Sequence, residues 1–198
     1  PCDIITTGTQ VLGGFLPPQR KGGALHFLLT STNEAQILSL ITVDAFAEEA
    51  NAIIEGAFRI ISDGAGTVVD VSIGTANAAH ATDMDSATEA VLIHLNANSA
   101  TIYAESRDGV SAAVTATDTT KTYTEGAGFA VRKEFWLDMR DPADVQVYVD
   151  GVNVLPSSVF DVDGGTGPWK LICHVEKTAS TDTYELALDW LWARFAEQ

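Results

Sequence analysis

Apolar and polar residues alternate with a period of two through most of this chain, the spacing of strands that bury one face and wet the other. Runs of this kind fall at 25–29, 36–43, 53–61, 67–73, 89–95, 100–104, 110–116, 129–139, 145–154, 169–175 and 184–195. In 36–43, Ile37, Ser39, Ile41 and Val43 share a face. In 53–61, Ile54, Gly56, Phe58 and Ile60 oppose Glu55 and Arg59, and in 129–139, Phe135, Leu137 and Met139 oppose Trp136 and Asp138. Val145, Val147 and Val149 alternate with Gln146 and Tyr148 before Asp150-Gly151, a dipeptide that tolerates the positive φ angles of a tight hairpin turn. The strand then restarts at Val152 and Val154.

Short strands separated by Gly, Asp, Asn and Ser turns predict an all-β sandwich or barrel with little helix. Within 33–51, Ile37, Leu40 and Ile41 also satisfy helical spacing, and Glu48-Glu49-Ala50 is a candidate helical turn. Nothing repeats at 20–50 residues, which argues against a solenoid or propeller. Residues 1–24 break the pattern. Gly13-Gly14, Pro17-Pro18 and Gly22-Gly23 prevent a regular element of any length, so the expectation is an extended N-terminal arm before one domain at 25–198. Its apolar residues Ile4, Ile5, Val11, Leu12, Phe15 and Leu16, with the basic pair Arg20 and Lys21, suit an arm lying against a partner.

Charge narrows the partners. The formal net charge is −16, so phosphate backbones and anionic lipid are repelled, and neither nucleic acid nor membrane is expected. A cationic protein surface is compatible. No window approaches the ~20 apolar residues of a membrane-spanning helix. No basic segment followed by an apolar run marks a signal peptide, and an opening Pro is what removal of an initiator Met leaves, so a complete protein made in the cytosol is expected. Cys2 and Cys173 form no disulfide framework, and Cys173 reads as a small buried hydrophobe.

The order of motifs toward the C-terminus carries a resemblance. Phe135-Trp-Leu-Asp-Met139 is followed by the Asp150-Gly151 hairpin, a Gly-rich loop, the strand at 169–175, and a last strand with Leu188-Asp-Trp-Leu-Trp192. With Glu55-Gly-Ala-Phe-Arg-Ile60 upstream, this resembles the concanavalin A-like lectin/glucanase jelly roll, including laminin-G-type domains, over residues 25 to 196. The resemblance implies two antiparallel sheets packed face to face, one concave, with binding in that groove or at the loops on its rim.

Glucanases of that superfamily carry a Glu-x-Asp-x-x-Glu motif that sets two carboxylates on one face. The nearest stretch here, Asp83-Met-Asp85-Ser-Ala-Thr-Glu89, lacks the first Glu and the spacing, and reads as a loop; no enzyme is expected. The family resemblance also implies a calcium ion held by loop oxygens. Asp161 and Asp163 before Gly164-Gly165 are the candidate ligands, and Asp83 with Asp85 is a second pair, though such Asp-Gly clusters also serve as plain turns. No other cofactor is expected. His26, His80, His94 and His174 have no zinc-ligand spacing, and His94 and His174 fall at polar-facing strand positions. Gly164-Gly-Thr-Gly167 precedes a strand and not a helix, so it makes no phosphate cradle. Trp190 and Trp192 share a face with Tyr184, Leu186 and Leu188, the pattern of a core stripe, and core packing is the ordinary expectation for Trp136 and Trp169 too. Trp136 is nonetheless the candidate ligand platform or interface anchor.

Two expectations follow. The first is a non-enzymatic virion protein, a capsid decoration (cement) protein of a tailed bacteriophage, oligomeric and bound through its arm to the shell and to neighbouring subunits at the virion surface. The alternative is an extracellular, lectin-like carbohydrate-binding module, calcium-dependent, with a glycan as partner.

Overall fold

The computed structural model describes residues 1–8, 24–47, 51–64, 68–80, 83–96, 99–110 and 113–195. Among the described residues there is no α-helix, only short 3-10 turns such as Met84–Ser86 and Phe129–Val131. The strands are β1 (Cys2–Thr7), β2 (Leu25–Leu29), β3 (Glu34–Thr42), β4 (Ala52–Ser62), β5 (Val69–Ala76), β6 (Ala90–Asn96) and β7 (Thr101–Arg107). They continue with β8 (Val114–Thr122), β9 (Lys133–Asp138), β10 (Gln146–Val149), β11 (Val152–Asn153), β12 (Lys170–Ser180) and β13 (Tyr184–Phe195). They form two antiparallel sheets, ordered β1-β3-β12-β5-β6-β7-β8 and β11-β10-β9-β4-β13-β2.

The core fills the space between the sheets. Val69, Val71 and Ile73 of β5, Val91, Ile93 and Leu95 of β6, and Cys173 and Val175 of β12 meet Ile54, Phe58 and Ile60 of β4, Phe135 and Leu137 of β9, and Val147 and Val149 of β10. All of these are fully or almost fully buried, as the period-two reading predicts. Gly56 interrupts the inward row of β4 for a steric reason: a Cβ there would lie 2.4 Å from the Phe135 ring. At the β10–β11 turn, Asp150 and Gly151 adopt φ angles of 50° and 76°, the pair of positive values that a two-residue hairpin turn requires. Cys2 and Cys173 are both free, the first exposed and the second buried.

Three expectations are corrected. Residues 1–24 are not without regular structure, because Cys2–Thr7 pairs with β3 from Cys2 opposite Thr42 to Thr7 opposite Ile37. The turn-forming residues begin only at Gly8, leaving a six-residue run free to extend the sheet edge. Ile4 and Ile5 therefore sit in an exposed edge strand; Val11, Leu12, Phe15, Leu16, Arg20 and Lys21, like the Glu48–Ala50 turn, lie outside the described residues. Second, 129–139 is not one strand: a 3-10 turn at Phe129–Val131 precedes β9.

Third, Trp190 and Trp192 do not continue the core stripe of Tyr184, Leu186 and Leu188. Along β13, Leu188 faces Phe58 and Trp190 faces Ala57, so Asp189 is an extra residue in the ladder. That β-bulge inverts the alternation. Beyond it Leu191 and Ala193 pack toward the core while Trp192 is 51% exposed.

Candidate functional site

The bulge builds a surface. On the outer face of the six-stranded sheet, the ladder places Tyr148 opposite Trp136, Trp136 opposite Glu55, and Glu55 opposite Trp192. Trp136 is 37% exposed, and its ring centroid lies 5.8 Å from that of Tyr148. Trp192 stacks on Trp190 at 6.0 Å with the planes 21° apart, and the Arg132 guanidinium lies 4.6 Å from the centre of the Trp190 ring. Glu55 ties the row together: its carboxylate accepts from Trp192 Nε1 at 2.9 Å and pairs with Arg194 at 2.7 Å.

Next to the row, Arg59 and Asp189 are shut away from water. Arg59 is buried and donates to both oxygens of Asp189, at 3.0 and 2.6 Å, and to the Ala127 carbonyl, while the Phe129 ring lies against its guanidinium at 4.8 Å. The bulge residue is thus the counter-ion of a buried arginine, with both side chains 5% exposed. Beside the Trp136–Tyr148 pair, two residues further along β9 and β10, lies a pocket of about 240 Å³ lined by Asp138, Arg140, Asp141, Asp144 and Gln146. Asp138 accepts from Arg140 at 2.8 and 2.6 Å. Burial pushes the Asp138 carboxyl up, but the hydrogen bonds and charge of Arg140 outweigh it and hold the group below the usual carboxylate range. Aromatic faces in a row offer a sheet-flat apolar track, and the flanking carboxylates and Gln146 amide offer acceptors and donors for hydroxyl groups.

The outer face of the seven-stranded sheet is built of different material. One ladder row reads Ser39, His174, Ser72, His94 and Tyr103 across β3, β12, β5, β6 and β7. Beside it Met84 and Ala87 cover Ile41, Ala76, Ala90, Leu92 and Ile172. His174 is bonded through one nitrogen to Glu176 at 2.8 Å and through the other to Ser39. His94 is 4% exposed, with Nε2 3.0 Å from Asn96 Oδ1 and Nδ1 3.7 Å from the buried Glu105. Burial pushes the Glu105 carboxyl up to about 7; His94 and Arg107 oppose the rise and Asp85 adds to it. Asp70 is raised as well, chiefly by burial, with His94 opposing and the Glu176, Asp85 and Asp83 carboxylates adding. The polar-facing positions of His94 and His174 were legible in the alternation, but their alignment in one row depends on strand register.

The calcium candidates Asp161 and Asp163 are joined by Asp108 of the loop after β7, with one oxygen of each carboxylate within 4.8 Å of the others. Asp161 accepts from the Asp163 backbone N–H at 3.1 Å and Asp108 from that of Val110 at 2.8 Å, both local turn bonds. The charge of Asp161 raises the Asp163 carboxyl. Asp83 and Asp85 part company: Asp83 caps the 3-10 turn by accepting from Asp85 N at 2.7 Å, while Asp85 reaches toward His94 at 3.9 Å. Glu89 holds the Gly-rich loop, accepting from Thr166 N at 3.2 Å, Thr166 Oγ1 at 3.1 Å and Gly167 N at 2.8 Å. The carboxylates of 83–89 therefore have separate structural partners.

No family model matches the chain, and no curated protein matches it by sequence. Solved structures do share its fold. The carbohydrate recognition domain of Emp47p superposes with a TM-score of 0.60 at 14% identity, covering 98% of this chain and 89% of that one. A structure described with endo-acting O-glycanases of the human gut microbiota that initiate mucin breakdown gives 0.63 at 10% identity, covering 99% and 92%. The alginate lyase AlyC3 gives 0.57 at 12% identity over 89% and 76%. The two-sheet topology and these superpositions agree on one architecture: the chain has the concanavalin A-like jelly-roll fold.

Proposed function

We propose that this protein binds a neutral glycan along the Tyr148–Trp136–Trp192 row. The observation that carries the reading is the row itself: large aromatic side chains held at the surface of a rigid sheet, interleaved with Glu55 and ending beside a polar pocket. Pyranose rings present apolar C–H faces to such rings and hydroxyls to the flanking carboxylates and amide. The net charge of −16 sets the ligand class, because a polyuronate would be repelled where a neutral chain is not. Lectin domains and glycan-active enzymes among the neighbours favour this reading over decoration of a virus shell. The interaction proposed is binding and not bond cleavage.

Affinity electrophoresis in gels containing neutral and acidic polysaccharides tests it. Retardation by a neutral polymer, lost in Trp136→Ala and Trp192→Ala, is expected; equal mobility of wild type and both variants in every gel would sink the reading. Incubation with alginate should yield no ultraviolet-absorbing unsaturated product, and a steady rise would reassign the protein as a lyase.

A further inference from the structure

On the opposite sheet, and independently of the glycan reading, His94, Glu105 and Asp85 point one ligand atom each at a common spot. The three atoms lie within 4.8 Å of one another, with His94 Nδ1 3.7 Å from Glu105 Oε1 and 3.9 Å from Asp85 Oδ1. We propose that these residues bind a first-row divalent transition ion of the zinc class. A buried imidazole nitrogen with carboxylate oxygens is the donor set such ions take. Ion–ligand bonds of about 2.0–2.2 Å in tetrahedral geometry need ligand atoms about 3.5 Å apart, so small side-chain adjustments close the site.

A second observation points at the ion. His94 Nδ1 and Glu105 Oε1 are buried atoms without a hydrogen-bond partner, on side chains only 5% and 1% exposed. Buried polar atoms of this kind are uncommon because each forfeits its hydration. Donation from His94 Nε2 to Asn96 Oδ1, 3.0 Å away, leaves Nδ1 as a bare lone pair, the tautomer that ligates metal. Glu105 is oriented in the same way: Arg107 holds Oε2 at 3.2 Å and leaves Oε1 turned to His94. Once Glu105 has lost its proton the two face each other as acceptors, and a cation between them satisfies both. Asp85, with its side chain 49% exposed, completes the triad from the solvent side and leaves a route for entry and for a fourth, water ligand. Its carboxylate lies 3.5 Å from Arg107, so that guanidinium competes for Asp85 in the metal-free protein.

Titration calorimetry of EDTA-stripped protein with Zn²⁺, Mn²⁺ and Ca²⁺ chlorides tests the site. One equivalent of Zn²⁺ should bind, with affinity reduced at least tenfold in Asp85→Asn, whose exposed side chain makes loss of folding a minor risk. Co²⁺ should give visible d–d absorption that disappears in His94→Gln, with circular dichroism confirming the fold. Equal Zn²⁺ isotherms for wild type and Asp85→Asn would overturn the proposal. That outcome covers both an absence of binding and capture of the ion by the Asp108, Asp161 and Asp163 carboxylates.

Discussion

The two outer faces of this sandwich handle polarity in opposite ways. The six-stranded sheet hides one ion pair, Arg59 with Asp189, and turns its aromatic rings outward. The seven-stranded sheet buries His174, His94, Glu105 and Ser72 and roofs part of its face with Met84 and Ala87. Side chains that face water on an ordinary sheet are buried on the second face, and rings that belong in a core are wetted on the first. Exposed rings forgo burial on the first face, and polar groups forgo hydration on the second.

The strongest way to break the contrast is at Asp189. Asp189→Ala should leave Arg59 buried without its counter-ion and lower stability by about 3–5 kcal/mol in urea denaturation. A loss under about 1 kcal/mol would mean that the 127–132 segment lifts and lets water reach Arg59.

The seven-stranded face is probed by pH. Glu105 titrates near 7 when folded against 4.5 ordinarily, so the folded state holds its proton more tightly. Its contribution to stability in EDTA should therefore be fully present below about 4.5, fall as pH rises toward about 7, and level off above it. This group accounts for at most about 3 kcal/mol of that fall. Glu105→Gln should flatten the limb, with His94, Asp85 and Arg107 left in place; an unchanged slope would place the titration elsewhere.

Trp136→Ala and Trp192→Ala should each cost no more than about 1 kcal/mol, because exposed rings contribute little to the core. They should nonetheless weaken glycan binding tenfold or more, and a large loss of stability would show that the row is a core extension and not a ligand track. The smallest effect concerns Asp138. Its folded pKa lies below the ordinary value of 3.8, so the pairing with Arg140 is fully stabilising above that pH and is lost as pH falls through the lower folded value. Asp138→Asn should lower the melting temperature slightly at neutral pH and converge with wild type as pH falls below the folded value, and equal melting at neutral pH would contradict the assignment.

Legibility in the sequence followed burial. Strands with one dry face, such as β4 and β9, announced themselves by alternation, and the opposition of Trp136 to Phe135, Leu137 and Met139 made it a candidate platform although core packing was its ordinary expectation. β1 was missed because an edge strand wet on both faces has no alternation to show. The Asp189 bulge was missed because Tyr184, Leu186, Leu188, Trp190 and Trp192 alternate without interruption in the chain. The phase breaks in space at Asp189, the partner of Arg59 130 residues away. The His94–Glu105–Asp85 cluster joins two strands and a turn, and its geometry depends on β6–β7 register that no local spacing encodes.

The bulge also divides the indoles optically. Trp169 is fully enclosed, whereas Trp192 is half in water and stacked on Trp190. Intrinsic fluorescence should contain a blue-shifted component indifferent to added quencher and a red-shifted component that iodide or acrylamide removes. A sugar laid on the outer row should shield the second and leave the first untouched, so the protein carries its own reporter of occupancy without a label.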